Sequence, residues 1–193
     1  MAARKVIRAG DPRLKAENKP VRDVKSPIVK KLIKDLTQTM HKVDLIGMAA
    51  PQIGENYQVF ITEPRKTKAR KGGAAATDKI RVYINPKFTF KSKEESIIYE
   101  GCGSISDYGP VSRPKEVEVE ALDEKGQKFS LRADGLLARV IQHEMDHLEG
   151  IEFIQKVNDY SKIMVKEHYI KKIRNSPLQR KNSKITKIEY KKL

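Results

Sequence analysis

Gln142-His143-Glu144-Met145-Asp146-His147-Leu148 is the stretch on which the reading of this chain turns. Around it, Leu137, Val140, Ile141, Glu144, Met145 and Leu148 recur at spacings of three and four, the period of a helix. Asp134 stands at the N-cap position and Gly150 just past the last turn, so a helix is predicted over about 134–149. Its middle is apolar nearly all round, which places it centrally and buried. Residues four apart share a face, so His143 and His147 aim their rings at one point, as two ligands of a divalent cation do. Glu144 lies one step round the helix, within reach of a water held by the ion without being a ligand itself. Such a pattern on a charged helix is often only a solvated face. Here apolar neighbours surround it, and burying two histidines and a glutamate is costly unless they are engaged.

A catalytic metal site of this kind uses three protein ligands and leaves one position open. Cys102, in Glu100-Gly101-Cys102-Gly103-Ser104, is the chain's single cysteine, so it has no intrachain disulfide partner. A lone cysteine is ordinarily a small buried hydrophobe. Its flanking glycines, which let backbone approach closely, make it the candidate third ligand. A thiolate with two imidazoles favours zinc or iron(II) over magnesium or calcium.

Outward from these motifs, the 193 residues and 38% apolar content suit one domain with one core. Ser26-Pro27 starts a helix carrying Val29, Leu32, Ile33, Leu36 and Met40 on one face. Residues 45–54 read as an irregular loop, and 57–62 and 80–85 as strands. Between those strands, 63–79 reads as a mobile surface loop. Residues 117–122 and 129–132 read as a hairpin turning at Asp123-Glu124-Lys125-Gly126. A further helix is predicted over 159–174, stopped by Ser176-Pro177. The expected division is a catalytic domain over 1–174 and a flexible basic tail over 175–193. No apolar run is long enough for a membrane helix, and the basic start lacks an apolar signal region, so a cytoplasmic protein is expected. The net charge is +15, and from residue 156 onward twelve Lys/Arg stand against three Asp/Glu, an excess of +9. That balance attracts polyanions such as RNA or a ribosome surface, although it also fits a solvated lysine-rich face.

Three segments together resemble the peptide deformylases: Gly47-Met48-Ala49-Ala50-Pro51-Gln52, Glu100-Gly101-Cys102-Gly103-Ser104 and Gln142-His143-Glu144-Met145-Asp146-His147-Leu148. Val6-Ile7-Arg8-Ala9-Gly10-Asp11-Pro12-Arg13-Leu14 is similar to the family's opening, and the likeness runs over residues 6–153. There are departures. Leu45 stands where the family usually has glycine, and Gly103 where it usually has leucine. Ile105-Ser106 lacks a proline common there.

The resemblance implies a compact single-domain α+β fold, with a central metal-binding helix among antiparallel strands and a C-terminal helix outside. It implies removal of the N-formyl group from the initiator methionine of new polypeptides, releasing formate. Cys102, His143 and His147 would hold one divalent metal ion, Fe2+ in the cell, with Zn2+, Ni2+ or Co2+ also compatible with these ligands. Glu144 would be the acid/base, and the Gln52 amide and Gly103 N–H would stabilise the charge developing on the formyl oxygen. Ile46, Ile98, Leu136 and Val140 would line the methionine pocket and Gly47 would bind peptide backbone. Arg113 would hold Glu100 and so the cysteine loop. Partners would be N-formylmethionyl nascent peptides and, through the basic C-terminus, the ribosome, with no membrane. Two other readings remain at this stage. One is a metallopeptidase, whose third ligand would lie downstream, where His168 is the only histidine. The other is a catalytically impaired deformylase-like module that binds ribosome or RNA.

Overall fold

Ser26 opens the first helix as its spacing predicts. Its hydroxyl accepts a hydrogen bond from the Val29 N–H at 3.4 Å, and α1 runs Pro27–Lys42. Val29, Leu32, Leu36 and Met40 form its buried face. The computed structural model describes residues 3–67 and 77–193. After α1 come β1 (Gly47–Ala49), a 3-10 turn (Ala50–Ile53), β2 (Val59–Thr62), β3 (Arg81–Lys91), β4 (Glu95–Cys102), β5 (Ile105–Pro114), β6 (Glu116–Leu122) and β7 (Lys128–Asp134). Then follow α2 (Gly135–Leu148), β8 (Met164–Val165), α3 (Lys166–His168), α4 (Pro177–Ser183) and β9 (Ile188–Lys192).

One antiparallel sheet has the order β1-β2-β3-β6-β7-β9, and a smaller one has the order β4-β5-β8. Side chains alternate across a strand, so β2 sends Val59 and Ile61 to one face and Phe60 to the other. Val59 and Ile61 join Leu32, Leu36 and Met40 beneath α1. Phe60 joins Tyr83, Val119, Phe129 and Leu131 beneath Leu137, Ile141 and Met145 of α2. Helix α2 is therefore the central buried element that its sequence predicts. It touches β1, β2, β5, β6 and β7, and the C-terminal helix α4 packs on it and on β4. The α+β architecture is the one expected.

Several local expectations change. Residues 45–54 are not irregular throughout, because Gly47–Ala49 pairs with Phe60–Thr62 before the 3-10 turn. The strand expected at 80–85 extends to Lys91, its register to β6 shifting twice. β4 and β5 form a hairpin in a stretch where glycines and prolines mask the strand pattern. Of the expected loop at 63–79, residues 68–76 lie outside the described residues.

The helix expected over 159–174 is not there. Its residues form a 3-10 turn (Tyr160–Lys162), β8 paired to Asp107 and Tyr108, α3, and a π-helical turn (Tyr169–Ile173). Tertiary contacts override the helical period: Tyr169 stacks on Tyr108 with ring centroids 4.1 Å apart, and β8 is held extended by β5. Nor is 175–193 a flexible tail. Ser176 starts a helix rather than stopping one, accepting from the Gln179 N–H, and β9 adds a sixth strand beside β7. Asp134 precedes α2 without capping it. Its carboxylate instead accepts from the Thr186 and Lys187 N–H groups at 2.7 and 2.9 Å, tying the C-terminal segment to the sheet. Among the described residues, no helix is long and apolar enough to cross a membrane.

Candidate active site

Helix α2 carries His143 and Glu144 into a cavity of about 900 Å³, the tip of the β4–β5 hairpin brings Cys102 to the same cavity, and the buried His147 converges with Cys102 and His143. Ligand atoms of Cys102, His143 and His147 all lie within 4.8 Å of one another, and Cys102 Sγ is 3.2 Å from His147 Nε2. Burial pushes the Cys102 thiol up, but the neighbouring imidazoles outweigh it and hold the thiol well below its usual range. His143 is the counterpart. Burial pushes it down, while Cys102 and Glu100 more than offset that and raise it. The cluster therefore favours a thiolate with positive charge beside it, which is the charge arrangement a divalent cation satisfies once the imidazoles are neutral. A tetrahedral soft-ion site needs this donor set, so these residues fit such an ion.

The candidate ligand residues are held from behind. Glu100 Oε2 lies 2.9 Å from His143 Nδ1, and with that nitrogen as donor, Nε2 is left to coordinate. Arg113 donates to both Glu100 oxygens, from Nε at 2.7 Å and Nη2 at 2.9 Å, and from Nη1 to Asp146 at 2.6 Å. Arg139 Nη1 adds a third guanidinium contact to Glu100 at 2.9 Å. All four side chains are buried. Burial pushes the Glu100 carboxyl up, but Arg113 and His143 outweigh it and keep it well below the carboxylate range. The Arg113–Glu100 contact was expected from sequence. Arg139 and Asp146 were missed, although two further charged residues on a largely buried helix were the available signal.

Glu144 is buried, and its Oε2 has no hydrogen-bond partner among the described residues. Burial raises its carboxyl to about 7, partly offset by His143 and His147. Gly47 makes room for it: a Cβ there would lie 2.5 Å from Glu144 Oε1 and 2.5 Å from Val140 Cγ1. Gln52 is fixed at one end, its Oε1 accepting from the Ala49 N–H at 2.8 Å, while its Nε2 donates to Cys102 Sγ at 3.3 Å. Gly103 follows in the hairpin turn, where its carbonyl accepts from Arg8 Nη1 at 2.9 Å and the next N–H, of Ser104, donates to Cys102 Sγ.

Ile46, Gly47, Ile98, Leu136 and Val140 all line the cavity. Sequence reading did not foresee that Tyr169, Ile170, Arg174 and Gln179 line it too, supplied by the segment expected as outer helix and tail. His168 is exposed and is not part of the Cys102, His143 and His147 cluster, which removes the downstream ligand of the metallopeptidase alternative.

Comparison with known proteins gives the same assignment. The family model described as polypeptide deformylase matches residues 3–162. Peptide deformylase 1 of Ralstonia nicotianae is 37% identical over 179 residues, covering 90% of this chain and 100% of that protein. Peptide deformylase of Psychrobacter cryohalolentis is 41% identical over 155 residues, covering 80% and 79%. Among solved structures, a Met-Ala-Ser-bound class I type b peptide deformylase from Acinetobacter baumannii is similar at TM-score 0.76 and 30% identity, with 81% and 99% coverage. Peptide deformylase from Synechococcus elongatus in complex with actinonin is similar at TM-score 0.70 and 37% identity, with 81% and 80% coverage. On this match, with Cys102, His143 and His147 converging as a possible metal site, the chain belongs to the peptide deformylase family.

Proposed function

We propose that this deformylase, a metal-dependent hydrolase that removes the N-formyl group from nascent peptides, works through Cys102, His143 and His147 as ligands and Glu144 as acid/base. The observation that carries the assignment is the buried, unpartnered Glu144 Oε2 beside the three converging ligand atoms. The family implies a single catalytic ion, and we assign it as iron(II), which the thiolate–imidazole set accepts as readily as zinc. When bound, the ion supplies Lewis acidity, polarising the formyl oxygen and making water nucleophilic near neutral pH.

The protein's own groups do the rest. A carboxyl with a pKa raised to about 7 both accepts and returns a proton at that pH. Glu144 takes the attacking water's proton and passes it to the departing amine as the C–N bond breaks, leaving formate and a free N-terminus. Gln52 Nε2 and the Gly103 N–H donate to the formyl oxygen as it gains negative charge. Gln52 is suited to this because its other end is pinned by Ala49. Ile46, Ile98, Leu136 and Val140 give the apolar side of the cavity to the methionine side chain, and Gly47 offers backbone to the peptide.

The test is Glu144→Ala. It should keep the ion and lose formate release by about 10²–10⁴-fold, the usual cost of losing a positioned acid/base. Wild-type turnover in that variant with its ion bound refutes the role. We place the enzyme in the cytoplasm at the ribosome, its basic C-terminal elements facing RNA. Co-sedimentation that falls steeply with salt supports the docking, and salt-independent or absent binding rejects it. The alternative of an impaired binding module finds no support in relatives that are themselves peptide deformylases.

A further inference from the structure

β4 is an edge strand. In the order β4-β5-β8 its only strand partner among the described residues is β5, and its other edge borders the cavity. In an antiparallel pair, alternate residues turn their N–H and C=O groups toward the partner strand and away from it. The outward set on β4 is fixed by Tyr99, whose partner across the ladder is Pro110, a residue with no N–H to give. The outward positions are therefore Ile97, Tyr99 and Gly101. Unpaired edge groups of this kind are where an extended peptide adds itself as a further strand.

Side chains of α4 engage both outward groups of Tyr99 and the carbonyl of Ile97. The Gln179 side chain spans Tyr99 as a neighbouring strand would, accepting from its N–H at 3.0 Å and donating to its carbonyl at 3.2 Å. Asn182, one turn further along α4, donates to the Ile97 carbonyl at 2.9 Å. Gln179 is itself buried and braced, its Nε2 lying 3.4 Å from the Tyr169 hydroxyl, while the Tyr169 ring stacks on Tyr108. The elements that do this lie beyond residues 3–162 covered by the family model. Among the described residues no α4 side chain hydrogen-bonds Gly101, which is adjacent to Cys102 and lines the cavity.

We propose that Gln179, backed by Asn182, is a specificity-determining residue that ends the peptide-binding edge of β4 at Gly101 and so sets how much of a nascent chain the enzyme reads. The inference rests on the deformylase reading above. With the formyl group at Cys102, His143 and His147, the first residue lies beside Cys102 and the second beside Gly101. Tyr99 is two residues further, about 7 Å along a strand. The fourth residue of an extended substrate arrives there and meets Gln179 instead of free backbone. Recognition by strand pairing thus stops after the third residue, and the remaining chain leaves the groove without main-chain selection. This suits an enzyme whose substrates share only their first residue.

The test measures kcat/KM of the metal-loaded enzyme on formyl-methionyl peptides of two, three, four and five residues. The wild type should change by less than about twofold from three to five residues, because no further backbone pair forms. In Gln179→Ala/Asn182→Ala, the freed Tyr99 groups should raise the five-residue substrate over the three-residue one by about fivefold, the worth of one backbone hydrogen bond. Each rate is read relative to the same protein's two-residue substrate, and absence of turnover of that substrate in the wild type would refute the deformylase reading rather than this one. A wild-type rate that keeps climbing through the fourth and fifth residues overturns the inference. So does a variant that turns over the two-residue substrate and stays flat with length relative to it. If the double variant loses its fold, Gln179→Glu, which keeps the acceptor and removes the donor, should show a smaller rise in the same direction, and a flat profile there overturns the inference.

Discussion

Gly103 and Leu45 depart from the family pattern in opposite directions, and the structure puts them in contact. A Cβ added at Gly103 would lie 2.8 Å from Leu45 Cδ1, 3.5 Å from Val6 Cγ1 and 3.8 Å from Gln52 Nε2. Carbon atoms pack best at about 3.5–4.0 Å, so the first contact is a clash and the others are ordinary. Leu45 therefore fills the space that a side chain at 103 would occupy, and the two positions should be energetically coupled. Gly103→Leu alone overpacks this corner, which typically costs about 1–3 kcal/mol. For a chain of this size each kcal/mol is worth about 2–4 °C in Tm, so a fall of about 2–12 °C is expected. The strain also displaces the turn beside Cys102 and Gln52, so formate release should fall with it. Leu45→Gly alone removes the packing and costs less. The double variant Leu45→Gly/Gly103→Leu should recover at least half of the loss in both Tm and kcat/KM, a coupling of about 1–2 kcal/mol. Thermal unfolding and formate release on the four proteins, metal-loaded and without oxygen, complete the cycle. Additive losses in the double variant would refute the idea that one residue substitutes for the other.

The other predictions concern the supporting structure. Arg113→Met leaves Glu100 and Asp146 each short of a buried guanidinium partner, and breaking such a network costs about 3–5 kcal/mol. Chemical unfolding should show that loss, and a change under about 1 kcal/mol would mean that Arg139 and Lys156 suffice. Ending the chain before β9 exposes the β7 edge and removes the Tyr190 ring stacked on Phe129. Tm should drop while turnover of a two-residue formyl peptide persists, since residues 188–192 do not line the cavity. Loss of that turnover at a temperature where the protein stays folded would contradict this division of labour.

The site was legible from sequence because its chemistry is local. Helical spacing alone aims His143 and His147 together, and the glycine-flanked Cys102 is the chain's sole thiol. The central helix was legible because apolar residues surround a polar motif. The segment from residue 159 onward was not. Its residues have a helical period, but Tyr169 is held by Tyr108, and β8 and β9 exist only because β5 and β7 offer them edges. No local pattern reports such partners. The same holds for Gln179, which reads as a surface residue of a basic tail until the β4 edge lies beside it. Arg139 and Asp146 fall between these cases, their charge visible in sequence and their partners visible only in the fold.

The central claim is that three side chains from two distant segments hold one ion. Elemental analysis of protein purified without oxygen tests it most directly, comparing the wild type, Glu144→Ala and His147→Ala. The wild type and Glu144→Ala should each carry about one divalent ion per chain, because a catalytic site of this kind keeps all three protein ligands in both. His147→Ala should lose most of it, since two remaining ligands make a far weaker site. Full occupancy in His147→Ala would contradict the assignment of Cys102, His143 and His147 as the metal centre.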